Sequence, residues 1–224
     1  MQPTLASSPT MKQIERILAH KIVAIIRGLP ANQIIRTVEA LHEGGIRIVE
    51  VTLNSPSALE QIQLLKRHFG TSMMVGAGTV LDVPGAAGAI SAGAAFLVSP
   101  GYDVEVIRYA NDHHVVSVPG GYTATEILNA FRAGGDIIKI FPVSGAEYIK
   151  NLIAPLDHIP MMPTGGINAG NIRSFAEAGA VAFGIGSALV HKTDTYDDHY
   201  FHSIREKASK LLNALEKNTV KGSD

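Results

Sequence analysis

Two charged side chains stand inside runs that are otherwise apolar. Lys139 lies within Ile137-Ile138-Lys139-Ile140-Phe141, and Glu50 within Ile48-Val49-Glu50-Val51-Thr52. Lys and Glu are rarely buried unless paired or put to use, because removing a charge from water without compensation is costly. Either one alone could snorkel out at a strand end. Two opposite charges in separate β-branched runs point instead to a site. The chemistry open to such a pair is specific. A free lysine amine, with a pKa of roughly 10.4, is almost wholly protonated at neutral pH, and an apolar pocket penalises that ammonium form. The neutral amine attacks carbonyls, and the resulting iminium is an electron sink that lets a neighbouring C–H or C–C bond break. Protons must then move, and a carboxylate within reach is the usual carrier. Glu50 suits that role. By strand alternation it shares a face with Thr52 and Asn54, while Lys139 shares one with Phe141.

The elements that must hold these residues recur along the chain. Apolar runs at Ile22–Ile26, Ile46–Leu53, Met73–Gly76, Ala95–Ser99, His114–Val118, Asp136–Ile140, Ile159–Pro163 and Val181–Gly186 are separated by amphipathic stretches such as Gln33–His42, Ala58–His68, Val104–Asn111, Thr125–Ala133 and Ile172–Ala178. Runs apolar almost throughout suit parallel strands covered by helices. Eight strand–helix units in 224 residues predict a single-domain α/β fold, a (β/α)₈ TIM barrel at the short end of its size range. An open doubly wound sheet is the rival, and it usually needs fewer strands for one ligand. Gly44-Gly45, Gly93-Ala94, Gly134-Gly135 and Gly179-Ala180 suit left-handed helix C-caps, recurring with the units. The domain division predicted is a flexible leader over 1–12, the barrel over 13–217 with a closing helix at Ser203–Lys217, and a frayed tail over 218–224.

In such a barrel the site lies on the loops after the strand C-termini. Pro163-Thr164-Gly165-Gly166-Ile167-Asn168 and Gly184-Ile185-Gly186-Ser187 close the last two runs, where a phosphate site fed by backbone N–H groups is common. Gly76-Ala77-Gly78-Thr79 lacks the third glycine and downstream acid of a dinucleotide fingerprint, so it predicts a small-anion contact through Thr79 rather than NAD. Nine histidines are present, but none falls in an HExxH or comparable pattern, and no metal or other cofactor is expected. Asp194, Asp198, His199 and His202 fit a solvated helix start, and His113-His114 a strand opening.

Composition narrows the partners. Hydrophobic residues make up 46% and charged ones 17%, so a core can form without staples. With 19 basic and 20 acidic side chains, no electrostatic footprint for nucleic acid or anionic membrane exists. Cysteine is absent, which removes disulfides and thiol catalysis and fits a cytoplasmic setting. The Gly-rich low-charge stretch Pro84–Gly101 is too short to span a bilayer, and the N-terminal segment lacks the basic-then-apolar pattern of a secretory signal.

Glu50 in VEVTL, Thr79 in GAGTV, Ser99-Pro100-Gly101, Pro119-Gly120 before Thr123-Ala124-Thr125-Glu126, Lys139 in KIFP, then PTGGIN and GIGSAL occur in this order. Together they resemble the 2-keto-3-deoxy-6-phosphogluconate (KDPG) and 4-hydroxy-2-oxoglutarate (KHG) aldolase family, from about Ile22 to Val190. The resemblance implies a metal-free Schiff-base aldolase, a homotrimer of (β/α)₈ barrels that splits a small-molecule substrate into pyruvate and an aldehyde. It implies that Lys139 forms the imine and Glu50 shuttles protons. Thr79 would hold the pyruvate carboxylate, and Pro100 and Phe141 would pack around the reacting carbons. Thr164, Gly165, Gly166 and Ser187 would take the distal phosphate. Many gluconate-type members carry a carboxylate-binding arginine at the position of Asn54. Asn54-Ser55-Pro56 looks more like the phosphogalactonate branch, and Arg27 in AIIRG could supply the missing cation. The loop from Phe141 to Tyr148 is shorter than usual for the family, which bears on aldehyde-side specificity.

The leading expectation is cleavage of 2-dehydro-3-deoxy-6-phosphogluconate to pyruvate and D-glyceraldehyde 3-phosphate. The alternatives within the class are the galactonate epimer and 4-hydroxy-2-oxoglutarate. Outside it stand a phosphosugar isomerase or synthase that uses Glu50 as base without Lys139, and a non-catalytic phosphosugar-binding barrel.

Overall fold

The computed structural model describes residues 8–216. Helix α1 (Pro9–His20) leads into an alternation of strands and helices. These are β1 (Ile22–Ile26), α2 (Ile34–Glu43), β2 (Ile48–Thr52), α3 (Ala58–Phe69), β3 (Met74–Gly78), α4 (Val83–Ser91), β4 (Phe96–Val98) and α5 (Val104–Asp112). Then come β5 (Val116–Val118), β6 (Gly120–Gly121), α6 (Ala124–Arg132), β7 (Ile138–Ile140), α7 (Ala146–Ile153), β8 (Met161–Pro163), α8 (Ile172–Glu177), β9 (Phe183–Ile185) and α9 (Asp198–Glu216).

All strand pairings are parallel, in the orders β5-β4-β3-β2-β1-β9 and β6-β7-β8. Strands β5 and β6 flank Pro119, whose missing N–H interrupts the ladder. They act as two halves of one barrel strand: Asp136 N–H donates to Ser117 O and Lys139 N–H to Pro119 O, each at 2.9 Å, so β7 is tied to both. Between β8 and β9 the ladder shrinks to a single bridge, Thr164–Gly184. The (β/α)₈ barrel expected from the sequence is therefore present as a curled parallel sheet that ladder hydrogen bonds do not fully close.

Strand alternation divides the core. Outward side chains such as Ala24, Val49, Ala77, Leu97, Ile138 and Phe183 pack against the helices. Inward ones, including Val23, Ile48, Met74, Phe96, Val116 and Ile137, fill the barrel. Both faces are buried, which is why the runs read as apolar throughout. Helix α1 belongs to the inner core: Ile17 is buried within it, with Ile14 and Leu18 alongside. Ile17→Ala is expected to cost about 2–4 kcal/mol of stability in urea unfolding. A loss under about 0.5 kcal/mol would show that α1 does not close the core.

The glycine doublets do cap helices. Gly45, Gly93, Gly134 and Gly179 have φ of +99°, +96°, +103° and +101°. In each case the next residue donates back across the turn, as Ile46 does to Leu41 O at 2.9 Å and Ala94 to Ala89 O at 3.0 Å.

Several boundaries differ from the sequence reading. Helix α1 starts at Pro9, inside the expected leader, because Ser8 caps it with Pro at the first turn: Met11 N–H donates to Ser8 Oγ at 3.2 Å. Helix α9 begins at Asp198 rather than Ser203, with Asp197 Oδ1 accepting from Tyr200 N–H at 2.9 Å. His113 and His114 lie in the turn after α5 and open no strand; His114 has φ +56°. Helix α4 has no amphipathic signature. It starts where Asp82 Oδ1 accepts from Gly85 N–H at 2.7 Å, with Pro84 in the first turn. The predicted tail at 218–224 lies outside the described residues. Among the described residues no helix is long and apolar enough to cross a membrane.

Candidate active site

Ile48 and Ile137 belong to the inner core, so Glu50 and Lys139, two positions later on β2 and β7, face the barrel interior one layer nearer the strand C-termini. Both are buried, at 1% and 5% exposure. Glu50 pairs in register with Ile25 on one side and Gly76 on the other. Its room comes from a missing side chain, since a β-carbon at Gly78 would run into the Glu50 carboxyl group. Glu50 Oε2 is buried with no hydrogen-bond partner among the described residues. Burial pushes the Glu50 carboxyl up from the ordinary carboxylate range, and attraction to Lys139 and then Arg27 opposes that rise. Lys139 Nζ lies 5.2 Å from the centre of the Phe141 ring. No ion pair joins Lys139 to Glu50 among the described residues, so the two groups stand apart within one electrostatic environment.

Above them opens a cavity of about 720 Å³ at the strand C-termini. Arg27, Thr79, Pro100, Phe141, Thr164, Gly165, Gly166 and Ser187, all expected at the site, line it. Lys139 and Glu50 do not form its wall; they border it through Phe141 and Ile25. Asn54 departs from expectation. Strand β2 ends at Thr52, and Asn54 is exposed in the following turn, outside the cavity lining. Ser55 turns inward instead: its Oγ accepts from Gly28 N–H at 2.7 Å and shares a 3.0 Å hydrogen bond with Thr52 Oγ1. That contact anchors the loop carrying Arg27. Arg27 Nη2 donates to Thr79 Oγ1 at 3.3 Å. Thr79 has φ +55°, a left-handed conformation costly for a β-branched residue and typical of strain kept at functional sites.

The opposite end of the cavity is built from loop backbone. Gly165 and Gly166 have φ of +104° and +68°, and Gly166 O accepts from Asn171 Nδ2 at 2.9 Å. Asn168 N–H donates to Asn171 Oδ1 at 2.8 Å, fixing the same loop. A tight turn follows β9, where Leu189 N–H and Val190 N–H both donate to Gly186 O, at 2.9 and 3.0 Å.

Of the other lining residues, the sequence reading named Ile167, Asn168, Gly184, Gly186 and Ala188 only as parts of motifs and passed over Ile25 and Leu81. Alternation from Val23 would have found Ile25, and Asn168, Gly184 and Gly186 sit in motifs already singled out. Leu81, 63% exposed, carried no signal. A larger groove of about 970 Å³ runs along α8 and α9 on the outside of the barrel. Its lining includes Arg173, Glu177, Arg205 and Lys210 but no strand residue, so size does not select the site; the buried Lys139–Glu50 pair does. Among the described residues no group of three or more His, Asp or Glu is placed to hold a metal ion.

A sequence model of the family described as KDPG and KHG aldolase matches residues 14–204. The chain belongs to the KDPG and KHG aldolase family. It is 35% identical over 171 residues to the 2-dehydro-3-deoxy-6-phosphogalactonate aldolase of Escherichia coli K12, covering 75% of this chain and 83% of that one. It is also 35% identical over 165 residues to the 2-dehydro-3-deoxy-phosphogluconate aldolase of Treponema pallidum, covering 72% and 77%. A native KDPGal structure superposes with a TM-score of 0.81 at 32% identity, over 86% of this chain and 93% of that one. KDPG aldolase from Legionella pneumophila, with pyruvate captured at low pH as a covalent carbinolamine intermediate, superposes with a TM-score of 0.77 at 25% identity, over 92% and 98%. This member of the family is thus a KDPG/KHG-type aldolase, a carbon–carbon lyase.

Proposed function

We propose that the protein is a class I aldolase in which Lys139 forms a Schiff base with the keto group of a 2-dehydro-3-deoxy-6-phospho sugar acid, releasing pyruvate and D-glyceraldehyde 3-phosphate. The observation that carries this reading is the pair of buried, opposite, inward-facing charges, Lys139 and Glu50, which border the cavity without lining it. The Legionella relative, which holds pyruvate covalently, supports it by similarity.

The Lys139 amine adds to C2 of the substrate to give a carbinolamine, and loss of water gives the iminium. As the C4 hydroxyl yields its proton, the C3–C4 bond breaks, the aldehyde leaves and the bonding pair passes into the iminium to form an enamine. Protonation at C3 and hydrolysis release pyruvate and free the amine. Glu50, held apart from Lys139 and above the ordinary carboxylate range, is the group assigned to these proton transfers. Arg27 and Thr79 receive the pyruvate carboxylate, and the Gly165-Gly166 and Ser187 loops receive the distal phosphate.

The galactonate epimer is a second reading favoured by one observation. Asn54, the position where many gluconate-type members place an arginine, lies outside the cavity, whereas Arg27 lies in it. Turnover of both epimers and of 4-hydroxy-2-oxoglutarate, followed by coupled pyruvate reduction, ranks the three. A homotrimer, read by light scattering, and a cytoplasmic setting belong to the same proposal.

The test of the chemistry is pyruvate with borohydride, then intact mass and peptide mapping. A single reduced adduct on Lys139 is expected. No adduct, or one spread over surface lysines, would overturn the Schiff-base reading and favour an isomerase or a binding protein.

A further inference from the structure

The distal end of the cavity has no charged side chain of its own. Its lining residues, Thr164 to Asn168 and Gly186 to Ala188, include no ionised side chain, and Arg27 is engaged with Thr79. A phosphate there would be met only by neutral donors, and a cation within reach would add a Coulombic attraction that those donors do not supply. The connection that carries Ser187 also carries an exposed lysine with no ion pair or hydrogen bond among the described residues, Lys192. Its position is held on both sides. Leu189 and Val190 are buried and hydrogen-bonded to Gly186 O, and the buried Tyr200 donates its hydroxyl to His191 O at 2.9 Å. The Lys192 side chain lies over the loop after β1: a β-carbon at Gly28 would come within 2.8 Å of its Cε and 3.0 Å of its Nζ. Gly28 directly follows Arg27 and has φ +63°. Lys192 lines, with Gly28, Pro30, Asp194 and Tyr196, a small cavity of about 470 Å³ beside the active-site cavity, and the pairing of β1 with β9 makes the Arg27 loop and the Ser187 turn neighbours.

We propose that Lys192 supplies the counter-charge for the distal phosphate of the substrate and so determines preference for phosphorylated substrates. This rests on the aldolase reading, in which that end of the cavity receives phosphate. Lys192 does not line the cavity; its exposed four-carbon stem lets the ammonium swing from Gly28 toward a dianion beside Ser187.

Lys192→Met and Lys192→Arg test it with two readouts. In calorimetric titration with inorganic phosphate, Lys192→Met is expected to weaken binding about 10- to 100-fold, the usual worth of a charge-assisted hydrogen bond. In turnover of 2-dehydro-3-deoxy-6-phosphogluconate and its galactonate epimer, KM is expected to rise by a similar factor while kcat changes less than about threefold, the signature of lost binding shared by ground and transition states. Lys192→Arg is expected to restore most of the phosphate affinity. The pyruvate concentration for half-maximal methyl-proton exchange is expected to move less than about twofold, because the keto-acid end lies at Arg27 and Thr79. Unchanged phosphate affinity and KM would overturn the proposal, as would an equal rise for pyruvate and phosphorylated substrate. Loss of the borohydride adduct in the wild type would instead reject the aldolase chemistry, and the phosphate titration would still decide the role of Lys192.

Discussion

Replacing Lys139 by methionine is expected to lower aldol cleavage by at least about 10⁴-fold while leaving the melting temperature unchanged or raised. The size of the loss follows from removing the atom that bonds to substrate, since deletion of a covalent nucleophile in other enzymes costs on the order of 10⁶ in rate. The stability follows from the surroundings. Lys139 is buried at 5% exposure between Ile138 and Ile140, with the Phe141 ring 5.2 Å away and no ion-pair partner among the described residues. Methionine keeps most of the stem volume and removes a polar group that is costly to desolvate. Thermal unfolding beside the turnover assay checks both halves. A clear fall in melting temperature would show that the amine serves the fold, and retained turnover would remove it from the chemistry.

Glu50→Gln separates proton transfer from imine formation. The borohydride adduct on Lys139 is expected to persist, while exchange of the pyruvate methyl protons slows by roughly 10²–10⁴-fold, the usual contribution of a general base. The pH dependence has a definite sign. Burial raises the Glu50 carboxyl above its ordinary value, so the charged base accumulates only as pH passes that raised value. Wild-type exchange is therefore expected to climb with pH through a window above the normal carboxylate range, and the glutamine variant to lack that limb.

Stability runs the opposite way. Between the unfolded and the raised folded pKa the native state holds the extra proton, so stability is present below this window and is lost as pH rises through it. Glu50→Gln is thus expected to melt higher than wild type at neutral pH, with the advantage shrinking as pH falls toward the normal carboxylate range. Thermal melts across pH 4 to 8, beside deuterium exchange into pyruvate, read both effects. Unchanged exchange would take Glu50 out of the mechanism, and an advantage that grows in acid would contradict the role of burial.

The chemistry of the site was legible in the chain because strong signals there are local. A lysine among isoleucines and a glutamate among valines are anomalies of composition, and alternation placed Lys139 with Phe141 as the folded protein does. The glycine doublets announced their left-handed caps because few other residues adopt that conformation cheaply. Eight strand–helix units announced a barrel. Boundaries were less legible. The Ile46–Leu53 run contains a strand only from Ile48 to Thr52, because Ile46 is consumed in closing the preceding helix cap. Helix α4, made of small residues, starts from its Asp82 cap and Pro84 rather than from an apolar stripe.

The fates of Asn54 and Ser55 needed the tertiary structure. Both follow β2 on adjacent positions, and extending the strand's alternation put Asn54 inside. The chain instead turns after Thr52, and the long-range hydrogen bond from Gly28 draws Ser55 inward. The single Thr164–Gly184 bridge between β8 and β9, the elevation of the Glu50 carboxyl and the approach of Lys192 to Gly28 are likewise relations between distant segments. Sequence determines what each segment can do and which face it presents. The meeting of segments sets distance, burial and charge environment, and these determine which of the available groups become chemistry.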